Sequence, residues 1–187
     1  MTMLFGKTIL ITGVASGIGA RTAELAGQLG ADVIGVDVRE PAAAVGSFVK
    51  ADISSKAGVD ELVARLPQRI DALCNVAGLS GNTGAVSTLA VNFFGLRALS
   101  EGLTPRLREG GAIVNVASIA GYGWRANLNE RPRWSASRVS RMSPRWSPIM
   151  RSGTRKAIPS RRNCSCCGPF ARRTRICSNA VASASMR

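Results

Sequence analysis

"ITGVASGIGA", residues 11–20, joins two kinds of local structure. The residues leading into it, "KTILITG", form a short apolar run rich in β-branched side chains, which suits a strand buried on both faces and ended by Gly13. The residues leading out, "IGARTAELAGQLGA", carry apolar positions at helical spacing and close on Gly30. Between them Gly13, Gly17 and Gly19 spell G-x-x-x-G-x-G. Gly13 permits a tight turn, Gly17 lets the backbone approach a pyrophosphate, and Gly19 lets helix and strand pack closely. The helix N-terminus then faces the phosphates with unpaired N–H groups and a favourable dipole. Ala15, Ser16 and Ile18 complete this predicted phosphate-binding turn. Three glycines alone are a weak signal; a strand before them and a helix after them supply the context that the motif needs.

The same alternation continues. "DVIGVD" reads as a second strand, "SFVKADI" as a weak third, "KAGVDELVARLPQ" as a helix and "IDALCNVAG" as a fourth strand ending in Gly78. "STLAVNFFGLRALSEGLTPRLREG" is predicted to be one long helix, and "GAIVNVASIAG" a fifth strand. Alternating strands and helices imply parallel strands joined by right-handed crossovers. The expected fold is therefore α/β, a Rossmann-like doubly wound parallel sheet of about five strands over residues 1–128. In such sheets ligands sit beyond the carboxyl ends of the strands, where the strand order reverses. Asp37 ends the second strand, 18 residues after Gly19. A carboxylate there can accept both hydroxyls of an adenosine ribose and would repel a 2′-phosphate, which favours NAD over NADP. Arg39 stands close enough to soften that preference.

The motifs "TGVASGIG" at Thr12–Gly19, Ala51–Ile53, "NVAG" at Asn75–Gly78, "VNFFG" at Val91–Gly95 and "IVNVASIAG" at Ile113–Gly121 occur in order over roughly residues 5–128. Together they resemble the short-chain dehydrogenase/reductase family. The segment before "VNFFG" further resembles bacterial 3α-hydroxysteroid dehydrogenases (carbonyl reductases) and coniferyl-alcohol dehydrogenases. The resemblance implies hydride transfer between a nicotinamide cofactor and a secondary or aryl alcohol or its carbonyl. It implies that Asp52 and Ile53 contact adenine, and that Asn75, Ala77 and Gly78 line the cofactor cleft. Asn92 would hold a water of a proton relay, and Ser118 would hydrogen-bond the substrate oxygen. It also implies a homodimer or homotetramer, with the helix from about Ser87 to Arg108 as one half of the interface.

That family's acid–base pair is Tyr-x-x-x-Lys, two residues spaced to share one helix face. The single tyrosine, Tyr122, is followed four residues later by Ala126 and reads as a loop residue. No such pair is present, so this chain is expected to be inactive as a dehydrogenase.

Composition divides the chain at the same place. Residues 1–128 hold 11 basic and 10 acidic side chains; residues 129–187 hold 14 and 1, with 11 serines and 5 prolines. The net charge of +14 thus belongs almost wholly to the second part. Such a segment buries little apolar area, and disorder is expected. It could act as a basic arm on nucleic acid beside a nucleotide-binding fragment, but it has no Lys-rich block and few aromatics (Trp134, Trp146 and Phe170). Cys164, Cys166, Cys167 and Cys177 have poor spacing for a zinc site, and the chain has no histidine, so no metal is expected. An odd cysteine count without a signal peptide argues against a secreted disulfide scaffold, and no stretch is long enough to span a bilayer. A cytoplasmic protein acting on a small molecule is expected.

The arginine, serine, proline and cysteine bias is what GC-rich coding DNA yields when read out of register. Take the last base of each codon with the first two of the next. Asn163–Cys164 then must encode Leu, because Asn codons end in C or T and both CTG and TTG mean Leu; Cys166–Cys167 must do so as well. Ala157–Ile158 permits Tyr, the next pairs permit Pro, Leu and Ser, and Arg161–Arg162 permits Lys. The hidden string Y-P-L-S-K-E-L-L-L-L-W restores a Tyr-x-x-x-Lys helix. A base lost near Asn129 therefore accounts for the tail as a frameshifted continuation of the same enzyme.

Overall fold

The computed structural model describes residues 3–119, 121 and 122. The expected boundary near residue 128, the four tail cysteines and the hidden-frame segment lie outside them. Within them, β1 (Thr8–Thr12), β2 (Asp32–Asp37), β3 (Ser47–Lys50), β4 (Ile70–Asn75) and β5 (Leu107–Asn115) form one sheet in the order β3-β2-β1-β4-β5. Every pairing is parallel. The order reverses between β1 and β4, which puts a crevice at the carboxyl ends of these two strands.

Side-chain alternation along each strand feeds two cores. Ile9, Ile11 and Val33 face α1 (Gly17–Gln28), where they meet Ala23 and Ala26. Leu10, Val36 and Leu73 face the other way, against Val59 and Leu62 of α2 (Lys56–Arg65) and Ala98, Leu99 and Leu103 further along. Helices on both faces explain why the central strands read as unbroken apolar runs rather than as alternating ones. Leu10, Ile11, Leu62, Leu73, Leu99 and Leu103 are wholly buried, each contributing roughly 1.5–3 kcal/mol on burial.

The expected long helix after β4 is instead segmented. It runs as α3 (Ala85–Leu89), a π-helical stretch (Ala90–Gly95) and α4 (Leu96–Leu103), followed by a 3₁₀ turn at Thr104–Arg106. Pro105 lacks a backbone N–H and stops α-helical bonding there. β5 then begins at Leu107, earlier than expected, and its pairing with β4 shifts register between Ile70 and Ala72. Gly110, at φ +78°, takes up the irregularity. β5 ends at Asn115, so Val116–Ser118 leave the sheet at the crevice side.

Two charged side chains tie the opposite end of the sheet together. Arg106 Nη1 donates to the carbonyls of Val63 and Leu66 at 2.7 and 2.8 Å, satisfying orphan groups at the end of α2. Asp71 accepts from the Thr8 N–H at 2.9 Å and from Lys7 Nζ at 3.2 Å, with Arg108 Nε at 3.6 Å. Burial pushes the Asp71 carboxyl up, but those hydrogen bonds and the charges of Lys7 and Arg108 outweigh it and hold its pKa below the ordinary value.

Replacing Asp71 by Ala should therefore lower stability at pH 7 by about 1–3 kcal/mol, read from the urea midpoint. A depressed folded-state pKa stabilises above the unfolded value of about 3.9 and loses that stabilisation as the pH falls through the folded value. The difference between parent and D71A should close in acid; a difference that stays constant down to pH 2 would contradict this role.

Candidate functional site

A cleft of about 790 Å³ opens along the carboxyl ends of β1, β2, β3 and β4. Its lining begins with the turn between β1 and α1. Gly13 has φ +79°, and a Cβ there would lie 2.8 Å from the Ala77 backbone, so β1 and β4 touch backbone to backbone at this point. A Cβ on Gly19 would lie 2.0 Å from the Gly13 carbonyl oxygen, which fixes the helix directly on the turn. Gly17, at φ +59°, has open space where a side chain would stand. Ser16 caps α1 without spending its side chain on the first-turn N–H groups, whereas Ser55 at the start of α2 accepts from the Gly58 N–H. The first turn of α1 thus keeps donors for an anion.

Asp37 ends β2 at the cleft wall. Its Oδ2 accepts from the Ala15 N–H at 2.9 Å and its Oδ1 from the Arg39 N–H at 3.0 Å. Each oxygen retains lone-pair capacity for a hydroxyl donor. Ala15 accordingly turns its N–H toward Asp37, while Ser16, Ile18 and Gly19 line the cleft itself. Asp52, Ile53 and Ser54 line it after β3, with the exposed Asp52 carboxylate turned back to the Ser54 N–H and hydroxyl. Ala77 and Gly78 line the far side after β4.

Asn75 is placed differently from the expectation that it lines the cleft. Its side chain is 2% exposed and points into the protein, where Nδ2 donates to Ser100 Oγ at 3.0 Å and to Asn115 Oδ1 at 2.8 Å. Its own Oδ1 is buried without a hydrogen-bond partner. The alternation of β4 explains this: Asn75 follows Leu73 onto the inner face, two residues along. Asn92 lies in the π-helical stretch, a distortion that recurs at functional sites. Its amide grips Leu79 at both ends, accepting from the N–H at 2.8 Å and donating to the carbonyl at 2.9 Å. Ser118 lies three residues past β5, exposed, with its carbonyl accepting from the Gly121 N–H. It shares the carboxyl edge of the sheet with the cleft but does not line it. Tyr122 is exposed.

A family model described as short chain dehydrogenase matches residues 7–139. This chain belongs to the short chain dehydrogenase family. Among its relatives in that family, the coniferyl-alcohol dehydrogenase of Pseudomonas sp. (strain HR199 / DSM 7063) is 45% identical over 125 residues, 67% of this chain and 49% of that protein. The 3-alpha-hydroxysteroid dehydrogenase/carbonyl reductase of Comamonas testosteroni is 31% identical over 119 residues, 60% of this chain and 44% of that one. The chain spans about half the length of such relatives. Among solved structures, the 3-alpha-hydroxysteroid dehydrogenase from Pseudomonas sp. B-0831 complexed with NADH superposes with a TM-score of 0.59 at 32% identity, covering 78% of this chain and 57% of that chain. A short chain dehydrogenase from Shigella flexneri complexed with NADP shares the fold, with a TM-score of 0.58 at 21% identity, over 65% of this chain and 62% of that one. Among the described residues of this family member, no helix is long and apolar enough to cross a membrane.

Sequence reasoning missed Thr12 as a site residue. Its hydroxyl, 1% exposed, accepts from the N–H groups of both Val76 and Ala77 at 3.0 Å. A hydroxylated residue closing an apolar strand just before a glycine turn was the available signal. The apolar wall formed by Val38, Val86, Ala90 and Val91 was also missed, because these residues come from three separate segments and share no motif.

Thr12→Val keeps the shape and removes the acceptor. It should cost about 2–4 kcal/mol, since two buried N–H groups lose their partner, and Thr12→Ser should restore most of it. Gly19→Ala should lower stability, read as a fall in the urea midpoint, because its Cβ meets the Gly13 carbonyl oxygen.

Proposed function

We propose that the cleft binds a nicotinamide adenine dinucleotide, NAD in preference to NADP, in an oxidoreductase of the alcohol–carbonyl type. The observation that carries this reading is Asp37, anchored at the end of β2 beside the glycine turn. Its carboxylate lines the cleft with lone pairs left for ribose hydroxyls, and a 2′-phosphate would meet it as a like charge. The pyrophosphate belongs over Gly17 and the first turn of α1, and the adenine against Asp52 and Ile53. Ala77 and Gly78 bound the opposite half of the cleft. When bound, the nicotinamide ring supplies the hydride donor or acceptor.

The residues around the cleft divide the remaining work. Thr12 holds the end of β4 against the end of β1, and so fixes the floor on which the cofactor rests. Asn92 clamps Leu79 and keeps the segment after Gly78 from collapsing into the cleft. Ser118 serves as the hydrogen-bond partner of the substrate oxygen from the end of β5. By kinship to coniferyl-alcohol and 3-alpha-hydroxysteroid dehydrogenases, the substrate class is an aryl or steroidal alcohol, or the matching carbonyl.

Proton transfer to or from that oxygen needs a general acid–base group. Tyr122 with Ala126 does not provide the family's pair, and Tyr-x-x-x-Lys is recovered only in the shifted frame over Ala157–Arg162. The intact frame would then encode the complete enzyme, whereas this chain binds cofactor without turning over.

Two measurements test the reading. Isothermal titration should give NAD+ binding tighter than NADP+ by about tenfold or more, with Asp37→Ala narrowing the gap mainly by weakening NAD+. Equal affinities in the parent protein would remove the Asp37 argument. NAD+ reduction with coniferyl alcohol or a 3α-hydroxysteroid should be undetectable in this chain and present after restoring one base near codon 129. Robust turnover by the 187-residue product would refute the frame reading.

A further inference from the structure

A second cavity adjoins the adenine end of the cleft. Its volume is about 260 Å³, and it shares Val38, Ala51 and Asp52 with the main cleft. The buried Leu62 of α2 forms its floor, and Lys50, Glu61 and Arg65 stand around it. Arg65 stands on one wall, its Nη1 donating to the Lys50 carbonyl at 3.3 Å.

We propose that this cavity is a subsite for a substituent on the 6-amino group of the cofactor adenine, of about the size of a benzyl group. The inference rests on the dinucleotide reading above. Two carboxylates line the main cleft, Asp37 and Asp52. In the dinucleotide reading the adenine lies against Asp52 and Ile53, as the family resemblance implies, and each Asp52 oxygen keeps a lone pair beyond its bond to the Ser54 N–H or hydroxyl. The adenine ring has one donor group, its 6-amino group, and a carboxylate is an acceptor only. That pairing turns the 6-amino edge toward Asp52, the residue at which cleft and cavity meet. A mono-alkylated amine keeps one N–H for Asp52 and sends its substituent onward, past Val38 and over Leu62. A benzyl group fills well under half of the cavity. Its ring gains apolar contact with the exposed Val38 and with the aliphatic stems of Lys50 and Arg65, beside the Arg65 cation. The subsite makes the protein tolerant of N6-modified nicotinamide dinucleotides, a class that a closed adenine pocket excludes.

The test is calorimetric binding of NAD+ and N6-benzyl-NAD+ to the full chain. The expected result is a Kd for the benzyl analogue within about threefold of that for NAD+. Glu61 is exposed on α2, so Glu61→Trp can fill the cavity from its rim. It should weaken the benzyl analogue by about tenfold or more and leave NAD+ within about twofold. Arg65→Ala, which only removes a wall, should weaken the analogue by about threefold and spare NAD+. NAD+ binding in the parent with the analogue more than about tenfold weaker overturns this subsite alone. An analogue affinity unchanged by both substitutions places the benzyl group elsewhere and overturns it too. Failure of either dinucleotide to bind overturns the proposed function and this inference with it.

Discussion

The strand ends of β1 and β4 meet at a distance that leaves no room for a side chain, and the cleft exists because of that contact. Gly13 lies against Ala77, and the Thr12 hydroxyl bonds the N–H groups of Val76 and Ala77. A parallel sheet leaves the backbone groups at its carboxyl edge without ladder partners. Here one buried hydroxyl satisfies two of them and joins adjacent strands that are some sixty residues apart in the chain. The topological switch point between β1 and β4 is thereby a fixed geometry. Everything a ligand would touch is measured from it, from the glycine turn on one side to Gly78 and Leu79 on the other.

The fold was legible because its signals are local. "DVIGVD" is β2 to the residue, and the five-strand parallel sheet follows from strands and helices that alternate with turn glycines between them. Gly13 and Gly19 stand where a Cβ would strike backbone, so the motif announces its own packing. Legibility failed where tertiary contact overrides pattern. The helix after β4 has an apolar period that reads as continuous, yet it relaxes into π-helical turns at Ala90–Gly95 and gives way to a 3₁₀ turn at Pro105. Asn75 belongs to a motif next to the cleft, yet strand alternation sends its amide inward. Thr12 carries no motif weight of its own, because its importance lies in what β4 brings to it.

Asn75, buried, and Asn115, exposed, mark the seam between β4 and β5. Asn75 gives both N–H groups to Ser100 and Asn115 and leaves its carbonyl oxygen unpaired. A buried acceptor without a donor costs about 1–3 kcal/mol, so this seam is held at a local disadvantage relative to the Leu10 and Leu73 side of the same core. The other half of the sheet, β3-β2-β1, has no comparable defect among the described residues. The two halves therefore differ in kind. One is a rigid, apolar platform; the other places polar side chains between strands and helix, next to the edge from which Ser118 departs.

The double anchoring of Asp37 has a consequence for how such a protein can drift in evolution. The same carboxylate faces the cleft and holds the N–H groups of Ala15 and Arg39. A substitution that removed both of its side-chain oxygens would at once release Ala15, and with it a hold on the glycine turn. Replacing this carboxylate is then not a one-residue step. It needs a second change that gives the two freed N–H groups another acceptor, and until that arises the fold itself holds the carboxylate at this position.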